Sequence, residues 1–97
     1  MSDVIDGAVQ ALNAKMDGGF DGSAKFDIED EGVIVLDGAG ARKADPEAEA
    51  DVTLSSDAET FREMLDGALN PTTAFMSGRL KIDGDMGTAM KLAGALA

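Results

Sequence analysis

Leu69-Asn-Pro-Thr-Thr-Ala-Phe-Met-Ser-Gly-Arg-Leu-Lys-Ile-Asp-Gly-Asp-Met-Gly-Thr-Ala-Met-Lys-Leu-Ala-Gly-Ala-Leu-Ala97 is the stretch from which the rest of the chain can be read. Asn70 can cap a helix N-terminus, and Pro71 fits the first helical position, whose N–H has no intrahelical partner in any case. Gly78 follows within two turns as a C′ residue, so this helix is brief. Arg79 to Asp83 alternates polar and apolar residues, the pattern of a strand with one buried face. Gly84 turns the chain and Asp85 caps a last helix. That helix carries Met86, Ala89, Met90, Leu92, Ala93 and Leu96 on one broad apolar face. Helix, strand and helix follow in close succession, with apolar groups converging between them.

Working outward, residues 3–16 read as an amphipathic helix. Val4, Ile5, Ala8, Val9, Ala11, Leu12 and Met16 fill one side, with Asp3, Asp6, Gln10 and Asn13 opposite. Ser2 or Asp3 can cap it and Gly18-Gly19 end it. Its acids and lone Lys15 argue against a basic membrane-surface helix. A strand follows at 24–30 with Phe26 and Ile28 inward. Glu31-Gly32 turns into Val33–Leu36, a continuous apolar run expected in a central strand; the run does not say which of its faces meets the core. After the turn Asp37-Gly38-Ala39-Gly40, Ala41–Ala44 is short and charged, as suits a sheet edge. Asp45-Pro46 interrupts. Residues 47–55 then alternate strictly, with Ala48, Ala50, Val52 and Leu54 on one face, which predicts a nine-residue strand. Ser56 and Glu59 have capping-box spacing and open a helix bearing Ala58, Phe61, Met64 and Leu65 that stops at Gly67. The order α-β-β-β-β-α-α-β-α predicts an α+β fold: an antiparallel meander, helices layered on one face, and the last strand beside an earlier one.

The chain has 97 residues, with 19 acidic against 8 basic and a net charge of −11. That balance excludes nucleic acid as a partner and leaves room for at most transient membrane contact. It favours a monomer, although an acidic proteome gives the same bias. Without cysteine there is no disulfide or thiolate chemistry, and without histidine the usual general base and metal ligand are missing. A serine nucleophile would have only lysine as its base, so an enzyme is not expected. Asp27, Glu29 and Glu31 echo the opening of a calcium loop, but Gly38 stands where the bidentate Glu belongs. Glu47, Glu49 and Asp51 read as a solvated strand face. Gly38-Ala39-Gly40, followed by Arg42-Lys43, lacks the spacing of a phosphate cradle. The opening Met-Ser-Asp-Val-Ile-Asp does not read as a signal peptide, no run approaches the length of a membrane span, and Gly-Ala-Leu-Ala does not read as a peroxisomal address. The expected compartment is the cytoplasm, in a bacterial cell.

Asn70-Pro71, Ala74-Phe75, Gly78-Arg79-Leu80-Lys81-Ile82, Gly84-Asp85 and Ala89-Met90-Lys91-Leu92, taken as a run, closely resemble the sterol carrier protein 2 (SCP2) lipid-transfer family. A weaker likeness continues upstream through Lys43-Ala44-Asp45 and Asp51-Val52-Thr53-Leu54, so it covers most of the chain. The resemblance implies one lipid-binding domain over residues 1–97: a five-stranded, mostly antiparallel sheet with helices packed on one face, enclosing an apolar cavity. It implies non-catalytic binding, and transfer, of a fatty acid, acyl-CoA, sterol-like or phospholipid ligand, with no cofactor and no metal. The lining it implies is Phe26, Ile28, Phe61, Leu65, Phe75, Met76, Ile82, Met86 and Met90. Flexible thioethers suit a surface that accepts variable apolar groups, though without the family likeness a padded core is the better account of them. The last helix, weakened by Gly87 and Gly94, is expected to act as a lid. The alternative is an interaction or accessory domain of a lipid-metabolism enzyme, which keeps this fold and offers its groove to a protein.

Overall fold

The alternating and apolar runs pair into a single five-stranded sheet of order β3-β2-β1-β4-β5. The computed structural model describes residues 3–16 and 19–96. In chain order the elements are α1 (Asp3–Lys15), β1 (Ala24–Ile28), β2 (Gly32–Asp37), β3 (Gly40–Ala44), β4 (Val52–Ser56), α2 (Ala58–Leu65), α3 (Pro71–Met76), β5 (Lys81–Gly84) and α4 (Met86–Leu96). Hairpins join β1 to β2 and β2 to β3, and β5 lies antiparallel to β4. The meander breaks at β4, which lies parallel to β1 rather than beside β3. The sheet is therefore mixed and mostly antiparallel, and the charged strand β3 is an edge.

The nine-residue strand expected over 47–55 does not form; strand begins only at Val52. Val52 pairs with Ala24, the first residue of β1, and with Gly84, the last of β5. Residues 47–50 thus have no ladder partner on either side, and Asp51 is met by the Ser23 hydroxyl and the Asp85 N–H; a period of two cannot supply a neighbouring strand. They belong to the crossing from β3 to β4. The Lys25 ammonium donates to the Pro46 carbonyl and ties this crossing to the sheet face away from the helices.

Register also settles the faces of Val33–Leu36. Ile34 sits opposite Phe26 and Leu36 opposite Ala24, so these two share the helix-covered face. Val33 and Val35 point the other way and are buried there. On the helical side α1 packs over β2 and β3, and α4 over β1, β4 and β5. Ile5, Leu12, Phe26, Leu36, Phe61, Met64, Leu80, Leu92 and Leu96 meet in one core. At its centre the rings of Phe26 and Phe61 lie 5.3 Å apart in a tilted arrangement. Asn13 reaches from α1 to the edge strand, donating to the Ala41 carbonyl at 3.1 Å and accepting its N–H at 2.8 Å. That leaves less of the edge free for pairing.

Helix starts follow local chemistry, with one displacement. Ser2 and Gly18, expected to bound the first helix, lie outside the described residues. The expected capping box on Ser56 moves on by one residue. The Ser56 carbonyl is committed to the sheet, where it accepts the Glu29 N–H at 2.9 Å. Asp57 caps α2 instead, accepting the Thr60 N–H at 2.7 Å. Asn70 caps α3 by accepting the Thr72 N–H at 2.8 Å, with Pro71 at the first position. β5 starts later than the alternation at 79–83 predicts, because the N–H groups of Arg79 and Leu80 both close on the Ala74 carbonyl at the end of α3.

Candidate functional site

The α3–β5–α4 segment leaves an apolar groove of ≈ 260 Å³. Leu54 and Ile82, a cross-strand pair of β4 and β5, lie at its sheet side. Pro71, Thr72, Phe75 and Met76 of α3 form one wall, and Met86, Ala89, Met90 and Ala93 of α4 the other. The α4 residues recur at i, i+3, i+4 and i+7, a single helical stripe. Thr88, Leu92 and Leu96 form a second stripe, buried in the core beside Ala89. The one broad apolar face expected for this helix is therefore two faces. No charged side chain lines the groove, and its one polar side chain is that of Thr72.

Asp85 fixes the start of α4. Its N–H donates to the Asp51 carbonyl at 2.9 Å, and its carboxylate accepts the Thr88 hydroxyl at 2.6 Å and the Gly87 N–H at 3.2 Å. The Thr88 hydroxyl, and then the helix N–H groups, hold this carboxyl below the ordinary carboxylate value. Anchored there, Met86 is presented at the groove. Leu92 and Leu96 are fully buried, and Lys15 reaches the Leu96 carbonyl at 3.5 Å. The helix expected to be a lid is thus a wall rooted in the core; lifting it whole would expose both leucines.

The expected lining residues fall in two places. Phe75, Met76, Ile82, Met86 and Met90 come together on this groove. Phe26, Ile28 and Phe61 lie in the filled core at 1–2% exposure. Leu65 is half-buried on a different groove, between α1 and α2, which Phe61 also borders. Sequence reasoning missed Leu54, Pro71, Thr72, Ala89 and Ala93 as lining. The helical spacing from Met86 pointed to both alanines, whereas Leu54 required knowledge of the register.

A larger cleft of ≈ 480 Å³ is lined by Asp27, Glu29, Ser55, Ser56, Asp57, Arg79 and Lys81. Apart from Gly78 every lining residue is polar or charged, and Arg79 is engaged with Thr60 at 3.2 Å and with Glu63. Its size gives it no claim on an apolar molecule. Among the described residues, no three His, Cys, Asp or Glu side chains are grouped to hold a metal ion. No helix among them is long and apolar enough to cross a membrane.

The chain is 41% identical over 93 residues to hydroxysteroid dehydrogenase-like protein 2 of Homo sapiens, covering 95% of this chain and 21% of that protein. It is 47% identical over 77 residues to the Danio rerio protein of the same name, covering 73% of this chain and 19% of that one. It therefore spans about a fifth of the length of these curated relatives. In fold it is similar to sterol carrier protein-2 of Aedes aegypti, solved in complex with palmitate, with a TM-score of 0.78 and 18% identity across 100% of this chain and 97% of that one. With the SCP-2 sterol transfer family matched over residues 6–97, which include every strand and all the groove residues, the chain belongs to that family.

Proposed function

We propose that this domain binds the apolar part of a lipid in the α3–β5–α4 groove and carries out no chemistry on it. The observation that carries this reading is a groove with ten lining residues, none charged, and one hydroxyl. Such a lining offers apolar burial, at about 25 cal/mol per Å², and almost no polar recognition. The groove lies just below the roughly 300–1,000 Å³ typical of small-molecule pockets. It therefore holds part of a lipid, with the remainder at the open mouth. Met76, Met86 and Met90 can repack around chains of different shape, which fits a fatty acid, acyl-CoA, sterol-like or phospholipid ligand better than one rigid substrate. The palmitate complex of the Aedes aegypti neighbour supports a fatty-acyl ligand in particular. Transfer between membranes follows from the same open mouth. The groove presents no side chain able to act as a general base.

The second reading is an accessory domain that serves a lipid-metabolism enzyme. The observation favouring it is that the matched relatives, named as dehydrogenase-like, are about five times longer than the matched region. The two readings separate on purified protein. Native mass spectrometry should find co-purified lipid, and a fluorescent fatty acid should saturate near one per chain. Ala93→Trp, at a half-buried groove position, should weaken that binding about tenfold or more with the circular dichroism unchanged. A wild-type domain that takes up no fatty acid, sterol or phospholipid would leave only the accessory reading.

A further inference from the structure

Among the described residues four large apolar side chains are exposed: Phe75, Met76, Met86 and Met90. All four stand on the same groove. A ligand held between the walls accounts for Leu54, Ile82 and Ala89. It does not account for Met76, which is 80% exposed, or Met90, at 72%. Side chains that exposed present most of their surface to solvent rather than to the space between the walls. A contiguous exposed apolar patch marks a place where a second surface docks.

Charge selects that surface. At −11, two copies of this chain repel one another, and an anionic bilayer is repelled in the same way. A lipid surface without net charge carries no such penalty, and its boundary between headgroups and acyl chains accepts apolar side chains presented by helices. We propose that Phe75, Met76, Met86 and Met90 form a docking surface for net-neutral membranes, with the mouth of the groove facing the bilayer. A lipid then passes between bilayer and groove without crossing open water. Docking itself does not require that a ligand be bound.

The test is co-sedimentation of the full chain with vesicles of phosphatidylcholine alone and of phosphatidylglycerol alone, at low and at physiological salt. Met76→Gln combined with Met90→Gln is the informative variant, since both positions are exposed and the fold should survive. We expect binding to phosphatidylcholine, little to phosphatidylglycerol at low salt, and about tenfold weaker partition for the double variant. Both methionines also line the groove, so the variant is compared with Ala93→Trp, which fills the groove from a half-buried position: vesicle partition should persist in Ala93→Trp and fall in the double variant. Equal vesicle binding by the double variant overturns the proposal. So does a wild-type chain that ignores phosphatidylcholine while still binding fatty acid, a result that leaves the lipid-binding function standing. A wild-type dimer that the double variant abolishes would make the occupant a second copy and would also overturn it. Vesicle binding without any fatty-acid binding removes the proposed function and keeps the docking surface.

Discussion

At Gly84 the backbone adopts φ +114°, and a Cβ there would lie 2.5 Å from the Asp51 carbonyl oxygen and 3.0 Å from the Val52 Cα. The atoms in the way are backbone, so neither can swing aside. Gly94 is the opposite case: it lies within α4 and has nothing within 4 Å of where a Cβ would stand. The two glycines look alike in the sequence and predict substitutions of opposite sign. Gly84→Ala should destabilise by about 1–3 kcal/mol from the strained φ alone, with the clash in addition. Gly94→Ala should stabilise by about 1 kcal/mol, because alanine restricts the unfolded chain and favours helix. Urea unfolding of the two variants beside the wild type checks both. A stabilised Gly84→Ala would mean that the turn between β5 and α4 relaxes more easily than this contact allows. That Gly84 turns the chain was legible from sequence; that Asp51 blocks a side chain there was not, because that contact depends on the pairing of β4 with β5.

The α4 helix shows what an element can and cannot disclose in its sequence. Apolar and small residues surround most of it, so its spacing admits a single broad face. Only packing divides that face into a core stripe and a groove stripe. The division predicts unequal losses from similar truncations. Leu92→Ala, at a fully buried position, should cost about 2–5 kcal/mol. Met90→Ala, at 72% exposure, should change stability by less than about 0.5 kcal/mol and act on ligand or vesicle binding instead. Equal destabilisation by the two would place Met90 in the core and empty the groove of meaning. The caps at Asn70 and Asp85 were readable because capping is settled within a few residues. The alternation at 47–51 misled because a strand also needs a neighbour, and β1 and β5 both stop short of it. The candidate site was half legible for the same reason. Phe75, Met76, Met86 and Met90, named from the family likeness, stand together on the groove, whereas Phe26 and Ile28, named on the same ground, lie in the filled core, a placement that follows only from register and packing.

Over the whole molecule, two electrostatic effects pull stability in opposite directions as pH falls. The first is self-repulsion at −11, which disfavours the compact state and weakens as carboxylates are neutralised toward the sequence isoelectric point near 4.1. The second is the set of carboxylates that the fold holds ionised. Asp37 is kept below the ordinary value by its paired hydrogen bonds with Arg42, at 3.0 and 2.9 Å. Asp57 is held down by Thr60, and Asp85 by Thr88. For each of these the folded chain binds a proton less readily than the unfolded one. Their stabilisation is thus complete above the unfolded value of about 3.9 and is lost as pH falls through the lower folded value. The relief of repulsion comes first and the loss of the caps later. We therefore expect the melting temperature at low ionic strength to rise as pH drops from 7, to peak between about pH 4 and 5, and to fall steeply below that. Added salt should raise the melting temperature at pH 7, where a Debye length of about 8 Å at physiological strength screens the surface charges, and should do little near the peak. Thermal unfolding by circular dichroism across pH 3 to 8, at two salt concentrations, measures both trends. A maximum at neutral pH that is indifferent to salt would show that the acidic residues are spaced widely enough to be harmless to the fold. The net charge would then act only on what the molecule approaches.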